Sequence, residues 1–168
     1  MQIIKNQKIV DDRWTRVLPD EETDPEDVEL KPGPLLVSLA VWKARRDELI
    51  ERDGESGVLL RADELLDELL DDLEHLSLIA LDFPYFRDGR SYSKARLLRE
   101  RHEFDGEIRA VGDVHHDQLT FMHRCGFDAY EPAEFFDLQD ALDAFDKYSV
   151  KYQPDVHEKN PLFRRAKR

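Results

Sequence analysis

Short apolar runs alternate along the chain with longer stretches in which apolar residues recur every three or four positions, the pattern of a buried parallel sheet covered by amphipathic helices. The short runs are Leu35 to Leu39, Val58 to Leu60, Leu78 to Leu81, Ile108 to Val111 and Phe127 to Tyr130, and each reads as a strand, with Leu78 to Leu81 apolar throughout. Between them, Val41 to Ile50 predicts a helix with Trp42, Leu49 and Ile50 facing inward and Lys43, Arg45 and Arg46 in water. Asp63 predicts the cap of a second helix, with Leu65, Leu66, Leu69, Leu70 and Leu73 on one face and Glu64, Asp67, Glu68, Asp71, Asp72 and Glu74 on the other. Ser91 predicts the cap of a third, from about Tyr92 to Phe104. A fourth places Leu119, Met122 and Cys125 inside and stops at Gly126. The last starts at Asp137, behind Phe135 and Phe136, and carries Leu138, Ala141, Leu142, Phe145 and Tyr148 at helical spacing.

Five strands alternating with five helices predict an α/β domain over 35–150, built from about five βα units around a parallel sheet. Two closures fit: an open doubly wound sheet, or a barrel-like half resembling part of an eight-stranded (TIM-type) barrel whose edges need cover. The strand endings LDFP, AVGD and AYEP resemble those of barrel strands. Ahead of this domain, Ile3-Ile4, Asn6-Gln7, Ile9-Val10, Trp14 and Val17 predict a small β-hairpin within 1–19. Residues 20–34 form an acidic Pro/Gly linker, with seven acids and one lysine between 20 and 31. Residues 151–168, ending FRRAKR, read as a mobile basic tail.

In either closure ligands gather beyond the carboxyl ends of the strands. That rule brings Arg61, Asp63, Asp82, Arg87, Arg90, Asp113, His115 and Glu131 to one face. Asp82, Asp113 and His115 are the candidate catalytic set, carboxylates and an imidazole suited to proton transfer. Arg87, Gly89, Arg90 and Ser91 are the candidate anion site, where a helix start offers N–H groups, two guanidinium forks flank it and a glycine allows close approach. The run His115-His116-Asp117 invites a metal reading, but neighbours on a helix diverge, and His123 and Cys125 point apart. No metal site is assigned. Cys125 falls on the buried helix face, where a thiol is inert.

Composition narrows the classes. The formal charge is −13, with 40% hydrophobic and 38% charged residues, which disfavours nucleic-acid and membrane-surface binding and steers basic partners. One cysteine supports neither an internal disulfide nor a cysteine-built zinc or iron–sulfur site. The start MQIIKNQKIVDD lacks the organisation of an export signal, and no apolar run approaches membrane-spanning length, so the expectation is a cytoplasmic protein. There is no G-x-G-x-x-G and no evident haem or flavin motif, so the cofactor is left unassigned. A basic patch from Lys94, Arg96, Arg99 and Arg101 facing the acidic helix of a second copy would make a homodimer.

The runs FPYFRDGRSYSKARLLRER and GEIRAVGDVHHDQLTFMHRCGFDAYE closely resemble a bacterial family of unknown molecular function, over about residues 30 to 150. Its genes typically neighbour those of assimilatory sulfite reduction, and its members are often labelled as oxidoreductases of that process. The resemblance implies an accessory protein or oxidoreductase component of sulfite reduction, with sulfite reductase or its electron donor as partner and an oxyanion such as sulfite as ligand. Two alternatives stand beside it: a barrel-type enzyme acting on a small anionic metabolite, and a non-catalytic dimerising module.

Overall fold

The computed structural model describes residues 1–20, 22–133, 137–145 and 151–165. Among them the elements run β1 (Gln2–Lys5), β2 (Lys8–Asp11), β3 (Thr15–Val17), β4 (Leu35–Ser38), α1 (Leu39–Ala44), α2 (Arg46–Glu51) and β5 (Ser56–Leu60). A 3₁₀ helix (Leu66–His75) leads to β6 (Leu78–Phe83), α3 (Arg90–Glu100), β7 (Glu107–Gly112), α4 (Leu119–Cys125), β8 (Ala129–Tyr130), α5 (Leu138–Asp143) and α6 (Leu162–Arg165). All five expected strands are present and all pair in parallel. Together with β1, β2 and β3 they form one eight-stranded sheet in the order β2-β1-β8-β7-β6-β5-β4-β3, curled into a half-barrel.

The expected hairpin forms, with β1 antiparallel both to β2 and to β8. Trp14 and Val17, read with it, belong elsewhere: β3 crosses to the far edge and pairs in parallel with β4. The two edge strands are thus joined by only residues 12–14. A flat sheet of eight strands would hold its edges about 33 Å apart, whereas so short a link spans at most about 14 Å. Curling is therefore forced by connectivity.

The alternation of β residues sorts the core into two sides. Val37, Val58, Ile79, Leu81 and Ile108 face the helices, packing with Trp42, Leu69, Leu98 and Met122. Leu36, Leu78, Ala80 and Val111 face the concave side, where Trp14 covers them. Beside Trp14, Arg109 of β7 is 1% exposed; its Nη1 donates to Asp12 Oδ2 at 2.9 Å and its Nε to Glu107 Oε1 at 2.8 Å. Lys5 reaches Glu107 at 2.6 Å. The link is thus tied to the sheet by apolar contact and by a buried ionic cluster.

Several local readings are corrected. The helix expected over Val41 to Ile50 is broken at Arg45, whose φ of −125° leaves the helical region, giving α1 and α2. Arg45 donates to the Val28 carbonyl of the linker, and Arg45 and Arg46 are half-buried instead of wet. The acidic helix is a 3₁₀ helix, not an α-helix, and its buried positions Leu66, Leu69 and Asp72 recur every third residue. Asp72, expected in water, is drawn in because it accepts from Trp42 Nε1 at 2.8 Å and from the Arg46 guanidinium at 2.5 and 2.7 Å. Leu65, expected inside, is 64% exposed.

The helix expected to begin at Ser91 starts instead after Gly89, and Phe104 lies beyond its end. Its outward basic patch is also reduced. Lys94 is half-buried, and Arg99 turns in to the carbonyls of Phe104, Gly106 and Gly126 and to Asp128. α4 and its Gly126 stop (φ 105°) match expectation, as does Asp137, which caps α5 by accepting from Gln139 N at 2.7 Å. Phe135, Phe136 and Tyr148 fall outside the described residues. The stretch 151–165 lies along α4, with Val156 N donating to Arg124 O and Arg124 pairing with Asp155.

Removing Asp12 should leave Arg109 buried with half of its acidic partnership, a loss of about 3 kcal/mol for a broken buried pair. Urea unfolding of Asp12→Ala measures it; a loss below about 1 kcal/mol would mean that the cluster does not hold the link.

Candidate functional site

The carboxyl ends of β4 to β8 open on one mouth of the half-barrel, and the eight candidate residues all lie at its rim. Most of their charge is spent locally. Arg61 reaches Glu64 at 3.3 Å and Asp63 at 3.9 Å. Glu131, just beyond β8, pairs with Arg16 of β3, tying the two sides of the half-barrel together across the mouth. Asp88 forks onto Arg90 at 2.6 to 3.2 Å, and this guanidinium with the Arg90 amide holds the Asp88 carboxyl down at about 2.

The loop between β6 and α3 is clamped from β7. Asp113 Oδ2 accepts from Phe86 N at 2.7 Å while its Oδ1 meets His115 Nε2 at 2.8 Å. Both contacts hold the Asp113 carboxyl below its ordinary range, the imidazole contributing most. Gln118 completes the clamp: its Nε2 donates to Phe86 O and its Oε1 accepts from His115 N, both at 3.0 Å. The Phe86 and His115 rings lie 4.7 Å apart. Gly112 makes this approach feasible, because at its φ of +94° a Cβ would stand 2.5 Å from Phe83 O and 2.7 Å from Asp82 Oδ1.

The expected anion group is not assembled around one point. Ser91 is fully buried and donates Oγ–H to the Asp82 carbonyl at 2.6 Å, which locks the start of α3 onto β6. Gly89 is the N-cap, with no side chain to contribute, and Arg90 is held by Asp88. Arg87 is exposed, and no hydrogen bond or ion pair ties its guanidinium among the described residues. The loop is therefore shaped by its own pairs.

Asp82 differs from the other acids. It sits on the central strand β6, half-buried, and its carboxylate has no hydrogen-bond or ion-pair partner among the described residues. Burial pushes its pKa up, and Asp88, Asp63 and Glu64 add to the rise while Arg61 opposes it. A carboxyl held in this way accepts and returns a proton nearer neutrality than an ordinary aspartate does. Asp113 and His115 are paired with each other and committed to the loop.

Sequence reasoning missed two contributors. Lys94 donates to the carbonyls of Arg61, Ala62 and Glu64 at 2.7 to 3.0 Å, fixing the loop after β5, and burial lowers its pKa. Its place three residues after a buried serine, on the inward side of α3, was the available signal. The second is the linker, whose Leu18, Pro19, Asp20, Thr23 and Pro25 line a cavity beside β4 and β5. Among the described residues no group of three or more His, Cys, Asp or Glu side chains is placed to hold a metal ion, and no helix is long and apolar enough to cross a membrane.

Fold and rim together define an α/β half-barrel protein with its candidate site at the strand carboxyl ends. The chain belongs to the bacterial protein family of unknown function DUF934, whose model matches residues 57–163, from β5 through the stretch along α4 and so across the whole β6–β7 rim. Neither a curated protein nor a solved structure matches the chain.

Because the folded state raises the Asp82 pKa above its unfolded value, the charged form costs stability once pH passes that raised value, and below the unfolded value the cost is absent. Asp82→Asn should therefore raise the melting temperature by a few degrees at pH 7 and leave it unchanged near pH 3. A lower melting temperature at pH 7 would show that the carboxylate has a stabilising partner.

Proposed function

We propose that the protein is an accessory component of assimilatory sulfite reduction that works by docking onto the reducing machinery. The pathway rests on the family resemblance of FPYFRDGRS and the β7–α4 run. The docking mode rests on one structural observation: the rim loop and α4 present aromatic side chains to solvent, with Tyr85 at 68%, Phe86 at 45% and Phe121 at 51% exposure. Exposed aromatics are the composition of interface centres, and Arg87, next to Phe86 in the loop, adds a planar donor suited to an interface or to an oxyanion. The clamp from Asp113, His115 and Gln118 holds the loop in a set conformation, which lowers the entropic cost of docking. The localisation consistent with this role is cytoplasmic.

A second reading is favoured by Asp82. A half-buried, uncompensated carboxyl at the end of the central strand suits a barrel-type enzyme acting on a small anionic metabolite, with Asp82 moving the proton and Arg87 meeting the charge.

A deletion strain should grow on sulfide but not on sulfate or sulfite as sole sulfur source. Restoring the gene should return growth and co-purification with sulfite reductase, and Tyr85→Ser with Phe121→Ser should lose both while the protein stays folded. Growth of the deletion strain on all three sources would remove the pathway, and full rescue by the double variant would remove the docking surface. Loss of growth in Asp82→Asn with co-purification intact would select the enzyme reading.

A further inference from the structure

A cavity of about 330 Å³ lies at the carboxyl ends of β3, β4 and β5, away from the aromatic loop. Its wall is mainly apolar, from Leu18, Pro19, Pro25, Ala40 and Leu59, and its size falls in the range of small-ligand sites. The linker supplies one side of it and the strand ends supply the other. The linker is held in place at its far end, where Arg52 donates to the carbonyls of Lys31 and Gly33 and Arg45 to that of Val28. Asp20 is fixed by accepting from Thr23 N at 2.9 Å and from Thr23 Oγ1 at 2.7 Å.

The charge lining this cavity is net negative. Asp20 and Glu64 line it, and the single lining cation, Arg61, is engaged by Glu64 and Asp63. Asp82, at the end of β6, feels the charges of Arg61, Glu64, Asp63 and Asp88 and has no hydrogen-bond or ion-pair partner of its own among the described residues. Glu64 is taken up by Arg61, so the charge left facing the cavity is that of Asp20, whose hydrogen bonds come from the neutral amide and hydroxyl of Thr23; a small anion entering here would meet that carboxylate, whereas an ammonium would be stabilised by it. Ser38, also on the wall, accepts from Val41 N at 3.3 Å through Oγ.

We infer that this cavity is a binding site for a small organic amine, with a short apolar body between Leu18, Pro25 and Leu59 and its ammonium group against Asp20. The site is independent of the docking surface, since it lies over β3 to β5 while the aromatic residues lie on the β6–α3 loop and α4.

The test is a titration of the full chain at pH 7 with 3-methylbutylamine and, separately, with the carboxylate 3-methylbutanoate, read by amide chemical shifts. The amine should shift Leu59 and Arg61 saturably, and the carboxylate should not. Ala40→Phe, placed at an exposed helix position so that it fills the cavity without disturbing the core, should abolish the response. Asp20→Asn keeps the acceptor for Thr23 but removes the charge, and should weaken the amine about threefold, the effect of one exposed charge. Absence of saturable shifts with the amine, an equal response to the carboxylate, or unchanged binding in Ala40→Phe would each overturn the assignment.

Discussion

Three residues between β2 and β3 set the shape of this protein. They join strands at opposite edges of an eight-stranded sheet, and a link that short cannot be made unless the sheet curls until its edges approach. Trp14 covers the concave apolar positions and Asp12 meets the buried Arg109, so the link also fills the space that the curl creates. Arg109 in turn needs Glu107 and Asp12 to be tolerated in the interior. The half-barrel therefore has a built floor at the amino ends of its strands, and its open end is the carboxyl side.

At that open end the chemistry is decided by which charges are left over. Arg16 with Glu131, Arg90 with Asp88, and Arg61 with Glu64 satisfy one another and hold loops in place. Asp113 and His115 anchor the aromatic loop. Asp82 is left without a partner between these pairs, on the strand at the centre of the parallel set. Folding that retains a carboxylate at such a position forgoes stability there, as proteins do at sites kept for function.

The strands were legible because a buried parallel strand is a largely apolar run: Leu78 to Leu81 stands out against polar flanks, and Ile108 to Val111 does so with Arg109 inside it. Helix caps with a local signal, Asp137 and Gly126, were legible too. What failed depended on distant partners. Asp72 reads as a solvated acid until Trp42 and Arg46, some thirty residues earlier in the chain, draw it inward and favour a period of three. Lys94 and Arg99 read as surface cations, yet backbone carbonyls at the ends of other loops take them up. The strand Thr15–Val17 carries the same alternation as the hairpin before it, and nothing local says that it pairs at the opposite edge. The rim residues Asp82, Asp113 and His115 were placed at the right end by topology, but the one lacking a partner emerged only from the contacts.

The claim on which this account turns is that Asp82 is held without compensation at the mouth of the half-barrel. Carbon-13 titration of its carboxyl in the folded protein measures this directly. A midpoint above the ordinary aspartate range is the predicted result; a midpoint at or below that range would mean that the carboxylate is stabilised by its surroundings, contradicting its uncompensated placement at the rim.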